Sequence, residues 1–254
     1  LISAQSLVKA DTNQFLGWRL LSDALAPIVV EQRLKVVAIS GSQGSGKSTL
    51  ADHLVNAIGN LGVSAISVSL DDYYLSRAQR LTLGEKIHPL LSTRGVPGTH
   101  DTQLLKQTLS GFSSQEARKS GDDLHATISV RLPKFNKAFD DHDGFREINA
   151  CVLVGEGWCL GVQAQTTKML EETVNSLEDE EDREGIWRRW VNQQIKTHYV
   201  QLWPYIDYWI ELKAPSFQQV LQWRAEQESN LLQHQRMSEV QLKLFIQHCE
   251  RLTL

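Results

Sequence analysis

The sequence predicts an α/β fold in which a mostly parallel sheet carries helices on both faces. Three observations predict it. Four short apolar runs, at residues 35–40, 65–70, 150–154 and 208–212, are separated by stretches of helical period. Such continuous apolar runs suit strands covered on both faces, as in parallel sheets. The first run leads into a glycine-rich loop and then a helix, and the second and third are followed within two residues by carboxylates.

Taken in order, residues 1–34 hold a segment of helical period from Phe15 to Leu25, followed by Pro27. It reads as an accessory helix packed on a main domain of residues 35–254. The first strand ends in Gly41-Ser42-Gln43-Gly44-Ser45-Gly46-Lys47-Ser48, a complete G-x-x-x-x-G-K-[ST] phosphate loop (Walker A) in its required strand–loop–helix setting. The glycines let backbone N–H groups turn inward on a phosphate, and the following helix N-terminus adds its dipole. Lys47 reaches the β- and γ-phosphates, and the Ser48 hydroxyl is a ligand for Mg²⁺. Gly41 through Ser48, with Thr49 behind them, are therefore the expected ATP-binding set of a P-loop NTPase fold. The GTP-specific Asn-Lys-x-Asp element is missing from the sequence.

The second strand runs into Ser69-Leu70-Asp71-Asp72-Tyr73-Tyr74. Ligands of open α/β sheets sit at the carboxyl ends of strands. Asp71, nearest the strand end, is the candidate base for an attacking hydroxyl. Asp72 either caps the following turn or, with Tyr73, joins the acceptor side. The third strand runs into Gly155-Glu156-Gly157, which places Glu156 where a Walker B carboxylate supports Mg²⁺, with Glu in place of the usual Asp.

Two connectors, residues 76–102 and 111–149, are long, charged and rich in turn formers, and read as lids or binding loops. The first contains Arg94-Gly95-Val96-Pro97-Gly98-Thr99-His100-Asp101. Arg94 and His100 flank its tight turn as cationic donors for a small anion, and Asp101 is placed to cap a helix over 102–109. In the second, Arg131 and Lys134 read as surface charges. The acidic stretch 177–184 reads as a solvated loop or helix start. After the fourth strand, Phe217, Val220, Leu221 and Arg224 share one helical face. Arg224 has two readings: a lid arginine over the phosphates, or an i,i+4 partner of Glu228.

Composition sets the outer limits. With 254 residues, 26 Lys+Arg and 30 Asp+Glu, the net charge of −4 points to neither nucleic acid nor a membrane as partner. No run approaches the ~20 apolar residues of a spanning helix. The three cysteines lack metal or disulfide spacing, which suits a reducing compartment, expected to be the cytoplasm. Cys151, opening the third run, reads as a small buried hydrophobe. Oligomeric state is left open.

The series GSQGSGKST, SLDDYY, RGVPGTHD, LPKFNKAFDDH, GEGWCLG and WRAEQE resembles, in order and spacing, the D-glycerate 3-kinase family of plant and cyanobacterial type with its uncharacterised bacterial and fungal relatives. These are grouped with uridine kinase, phosphoribulokinase and pantothenate kinase among P-loop small-molecule kinases. The resemblance spans roughly residues 35–252. It implies ATP and Mg²⁺ as cofactors and a small hydroxy acid, D-glycerate first, as acceptor. Asp71 is then the general base, Glu156 the magnesium-side carboxylate, and Arg224 the lid arginine. Arg94, Thr99, His100, Asp101 and Lys137 are parts of the acceptor site. The family has Asp where this chain has Asn136, and its members continue into one more strand beyond the segment resembling Phe245–Leu252. Other acceptors of this class are nucleosides, pantothenate-like compounds and sugar alcohols. A different class, an ATP-hydrolysing regulatory or assembly factor, would dispense with the acceptor altogether.

Overall fold

β1 (Val36–Gly41) lies inside a four-stranded sheet of order β2-β5-β1-β6, with β2 at Ala65–Ser69, β5 at Val152–Gly157 and β6 at Tyr208–Leu212. The structure is a computed structural model and describes residues 13–113, 126–229 and 237–253. Every pairing in this sheet is parallel. The four strands are those that the apolar runs predict.

The alternation of β1 explains the layers. Val37 and Ile39 face a core shared with Leu50, Leu54 and Ile58 of α2 (Lys47–Asn60) and with Leu25 and Val29 of α1 (Asn13–Glu31). Val36 and Ala38 face a second core with Leu105, Leu109 and Phe112. Those three belong to α4 (Thr102–Ser113), which follows α3 (Arg77–Lys86). Burying each large apolar side chain contributes ~1.5–3 kcal/mol, so each face is secured independently. α1 runs through Pro27 to Glu31, further than the proline suggests. Proline costs a helix one hydrogen bond and some crowding. Here Leu25, Ala26 and Val29 around it are buried, and that packing holds the helix together.

The two long connectors are structured. The first holds α3 and a 3₁₀ turn, Pro89–Ser92. Within residues 126–150 the second is an antiparallel hairpin, β3 (Ile128–Asn136) with β4 (Asp141–Ala150), rather than the loop expected. The acidic stretch is the helix start of its two readings, but it is not solvated throughout. It forms α5 (Ser176–Glu181), which precedes α6 (Ile186–Gln194). Glu178 is wholly buried against Arg251, and Asp182 is buried against Arg188. The chain closes with α7 (Phe217–Ser229) and α8 (Glu239–Thr253). Among the described residues, no helix is long and apolar enough to cross a membrane.

Candidate active site

Strand register brings the chemistry to one edge. In the sheet Glu156 of β5 lies between Ile39 of β1 and Ser69 of β2. The phosphate loop leaves β1 just beyond that point, and Asp71 lies two residues beyond the end of β2. A cavity of about 500 Å³ opens there. Of the predicted residues, Gln43, Gly44, Gly46, Lys47, Ser48, Thr49, Asp71, Arg94, Lys137, Glu156 and Arg224 line it.

The loop is shaped for an anion. Gly44 and Gly46 have φ of +77° and +86°, a region that L side chains rarely adopt. A Cβ on Gly44 would stand 2.6 Å from Trp223 of α7, and one on Gly46 would stand 2.9 Å from Trp18 of α1. The loop is thus clasped between the accessory helix and α7. The buried hydroxyls of Ser42 and Ser45 have no hydrogen-bond partner among the described residues. The Lys47 ammonium donates to the Ser42 carbonyl at 2.7 Å. Burial lowers the Lys47 pKa, while Glu156 and Asp71 work to raise it. The Ser48 hydroxyl donates to Glu156 Oε1 at 3.1 Å, so the expected metal-side pair is in contact.

Opposite the loop, Asp71 Oδ2 accepts a 2.6 Å hydrogen bond from the Lys137 ammonium at the end of the β3–β4 hairpin. Burial works to raise the Asp71 carboxyl. The charge and hydrogen bond of Lys137, with a hydrogen bond from Tyr74, outweigh it and hold the group below its ordinary value. The base candidate is therefore ionised at neutral pH.

The 3₁₀ turn Leu70–Tyr73 decides which of the four residues in Asp-Asp-Tyr-Tyr face the cavity. In such a turn positions i and i+3 eclipse, so Asp71 and Tyr74 share a side. Both line the cavity. Asp72 and Tyr73 do not, which corrects their placement at the acceptor. Asp72 accepts from the Phe135 amide at 3.4 Å and so steadies the hairpin. Tyr73 is fully buried and donates to Thr108 at 2.9 Å.

Three further assignments from the first connector are corrected. Thr99 is buried, donating to the Val96 carbonyl at 2.7 Å and accepting from the Gly95 amide, and so it shapes the turn. Asp101 caps α4 through the Leu104 amide at 2.9 Å, as the sequence predicts, so that only the acceptor role implied by the resemblance is corrected. His100 lies beneath the cavity wall, stacked on Tyr74 at 4.5 Å and hydrogen-bonded to the Tyr199 hydroxyl at 2.6 Å. Burial pushes its pKa down to about 4, so it is neutral at physiological pH and offers no cation to an acceptor. Asn136 accepts from the Ala138 and Phe139 amides and turns the hairpin.

For Arg224 the i,i+4 pairing with Glu228 is observed. Arg224 lines the cavity while pairing with buried Glu228 at 2.6 Å and lying 5.3 Å from the Phe245 ring centre. The sequence reading missed Asp140 and Arg80. Asp140, at φ +56°, takes ion pairs from Arg94 and from fully buried Arg80, the latter at 2.9 Å. The Asp-Asp-His-Asp-Gly cluster that contains Asp140 was the available signal, since such residues favour tight turns.

No family model matches the chain. Relatives do. The uncharacterized kinase mug58 of Schizosaccharomyces pombe is 30% identical over 86% of this chain and 79% of its own length. The chloroplastic D-glycerate 3-kinase of Arabidopsis thaliana is 26% identical over 76% of this chain, which spans 41% of that longer protein. Among solved structures, a D-glycerate 3-kinase from Cryptococcus neoformans superposes with a TM-score of 0.68 at 25% identity, covering 96% of this chain and 89% of that one. The phosphate loop, the carboxylates in register and these relatives lead to one conclusion: the chain belongs to the family of P-loop kinases that contains mug58 and D-glycerate 3-kinase, and it is a phosphotransferase acting on an alcohol group.

Proposed function

We propose that the enzyme transfers the γ-phosphoryl group of ATP to a hydroxyl of a small hydroxy acid, D-glycerate before others. The observation that carries this reading is the cavity itself. The ionised Asp71 faces the phosphate loop across it, and the cations Lys137 and Arg94 line the same space. Asp71 accepts the acceptor's hydroxyl proton. Lys47 and the loop amides offset charge on the transferring group, and Arg224 adds charge from the α7 side. Lys137 and Arg94 hold the acceptor's carboxylate, Arg94 through a planar fork suited to it.

The Ser48–Glu156 pair fits Mg²⁺, a hard ion that takes few protein oxygens and keeps water and phosphate ligands. When bound, the ion would neutralise charge on the phosphate oxygens. Chemically similar small acids, nucleosides and sugar alcohols, assayed for ADP release with Mg-ATP, test the proposal. The expected result is stimulation of about tenfold or more by D-glycerate. Stimulation by a nucleoside alone would replace the acceptor class. No stimulation by any compound, with hydrolysis raised by a protein instead, would favour a regulatory ATPase.

A further inference from the structure

Asp140 occupies an unusual place in the acceptor half of the cavity. Its backbone is in the left-handed region, at φ +56°, immediately before β4. Asp tolerates this better than most residues, but it still carries strain, and such strain gathers at functional positions. The position is held from behind. Arg80 is fully buried and donates to the Asp140 carbonyl at 2.7 Å, as well as to the carbonyls of Leu75 and Ser92.

Both ion pairs of the carboxylate land on one oxygen. Arg80 Nη2 lies 2.9 Å from Oδ1, and Arg94 Nη1 donates to the same atom. Among the described residues, no hydrogen bond or ion pair reaches Oδ2. The side chain is 33% exposed and lines the same cavity as Asp71, Lys137 and Arg94. The carboxylate thus bridges two arginines through one oxygen while its side chain borders the acceptor half of the cavity.

The charge state defines what this oxygen can recognise. Burial works to raise the carboxyl, but hydrogen bonds and charge from Arg80 and Arg94 hold it below its ordinary value. It is ionised at neutral pH, and an ionised carboxylate only accepts hydrogen bonds. It suits a hydroxyl and repels a carbonyl or carboxylate oxygen. The acceptor's own carboxylate has Lys137 and Arg94, and its reacting hydroxyl has Asp71. A hydroxyl adjacent to the reacting one is the remaining polar group that matches.

We infer that Asp140 is a specificity-determining residue that accepts a hydrogen bond, through Oδ2, from the hydroxyl neighbouring the one phosphorylated, so that the enzyme selects vicinal-diol acids over mono-hydroxy and 2-oxo acids. This rests on the hydroxy-acid reading above. A site built to bond a substrate hydroxyl rejects the analogue that lacks it, because its own polar group is left unpaired.

The test compares kcat/KM for D-glycerate, 3-hydroxypropionate and hydroxypyruvate in the wild type, in Asp140→Ala and in Asp140→Asn, with folding checked by circular dichroism. The wild type is expected to favour D-glycerate over both analogues by about 10- to 100-fold. That ratio collapses to about threefold or less in Asp140→Ala and falls partway in Asp140→Asn. A structural role alone would lower all three substrates together and leave the ratio intact. Comparable use of the three by the wild type overturns the inference without any variant, as does an unchanged ratio in whichever variant folds. If the wild type turns over none of the hydroxy acids, the underlying function fails, and this inference with it.

Discussion

The two ends of the cavity differ in how the chain builds them. At the nucleotide end, Gln43 through Thr49 are neighbours in sequence, and their shape follows from two glycines in the left-handed region and the start of α2. At the acceptor end, Asp71, Arg94, Lys137 and Asp140 come from three separate segments, joined by the Lys137–Asp71 and Arg94–Asp140 ion pairs. The first end is a backbone device, preformed by local conformation. The second is a side-chain device, formed only once α3, the turn after it and the hairpin have packed. Substitutions at the first should therefore act on nucleotide binding and turnover together. Those at the second should act on chemistry and acceptor while leaving nucleotide affinity in place.

The largest effect expected is from Asp71→Asn. It removes the proton acceptor and leaves Lys137 without its partner. Turnover should fall by roughly 10²–10⁴, with the ATP dissociation constant within about threefold of wild type. Single-turnover rates and nucleotide titration together check this. Near-normal turnover would remove Asp71 from the base role, and a large loss of ATP affinity would erase the proposed division between the two ends.

Lys47→Ala is the matching change on the other side. Its ammonium lies on the loop, 2.7 Å from the Ser42 carbonyl, where phosphate charge would be met. Turnover should fall by about 10²–10³, the cost of losing one preorganised charge-stabilising group, and ATP affinity should weaken as well. Isothermal titration with a non-hydrolysable ATP analogue separates the two variants. If Lys47→Ala binds nucleotide as tightly as Asp71→Asn does, the comparison is wrong at its first end.

The same division governs what could be read from sequence. The phosphate loop and the strand-end carboxylate Glu156 were legible, because each depends on residues adjacent in the chain and on a strand recognisable by its apolar run. The hairpin was not. β3 alternates Ile128, Val130 and Leu132 with polar residues, a signal that was present. Its partner β4 opens Asp-His-Asp-Gly-Phe-Arg-Glu, nearly all of it exposed, so nothing in the composition of its first seven residues marks a strand. Tertiary pairing decides it. Asp72, Tyr73 and Thr99 were misplaced for a related reason. Which side of a short turn faces a cavity depends on turn type, and a single residue of phase moves a side chain from the site to the core.

His100 provides the smallest effect and the finest probe of the acceptor wall. Burial pushes its pKa from 6.5 down to about 4, against the opposing pull of Asp71. Between those values the unfolded chain binds a proton that the folded chain refuses. Stability contributed by the neutral ring is therefore complete above about pH 6.5 and declines as pH falls toward 4. At about pH 5 the cost is about 2 kcal/mol, from 1.36 kcal/mol per pKa unit. Urea unfolding at about pH 7.5 and about pH 5 measures it directly, and His100→Gln should lose much of this difference while retaining a hydrogen-bonding side chain toward Tyr199. The ring supports Tyr74, which in turn bonds Asp71, so the acid-induced loss should be accompanied by a fall in turnover before global unfolding. Equal pH dependence in the two proteins would mean that the ring is more solvated than its packing indicates, and that the acceptor wall is softer than the loop it faces.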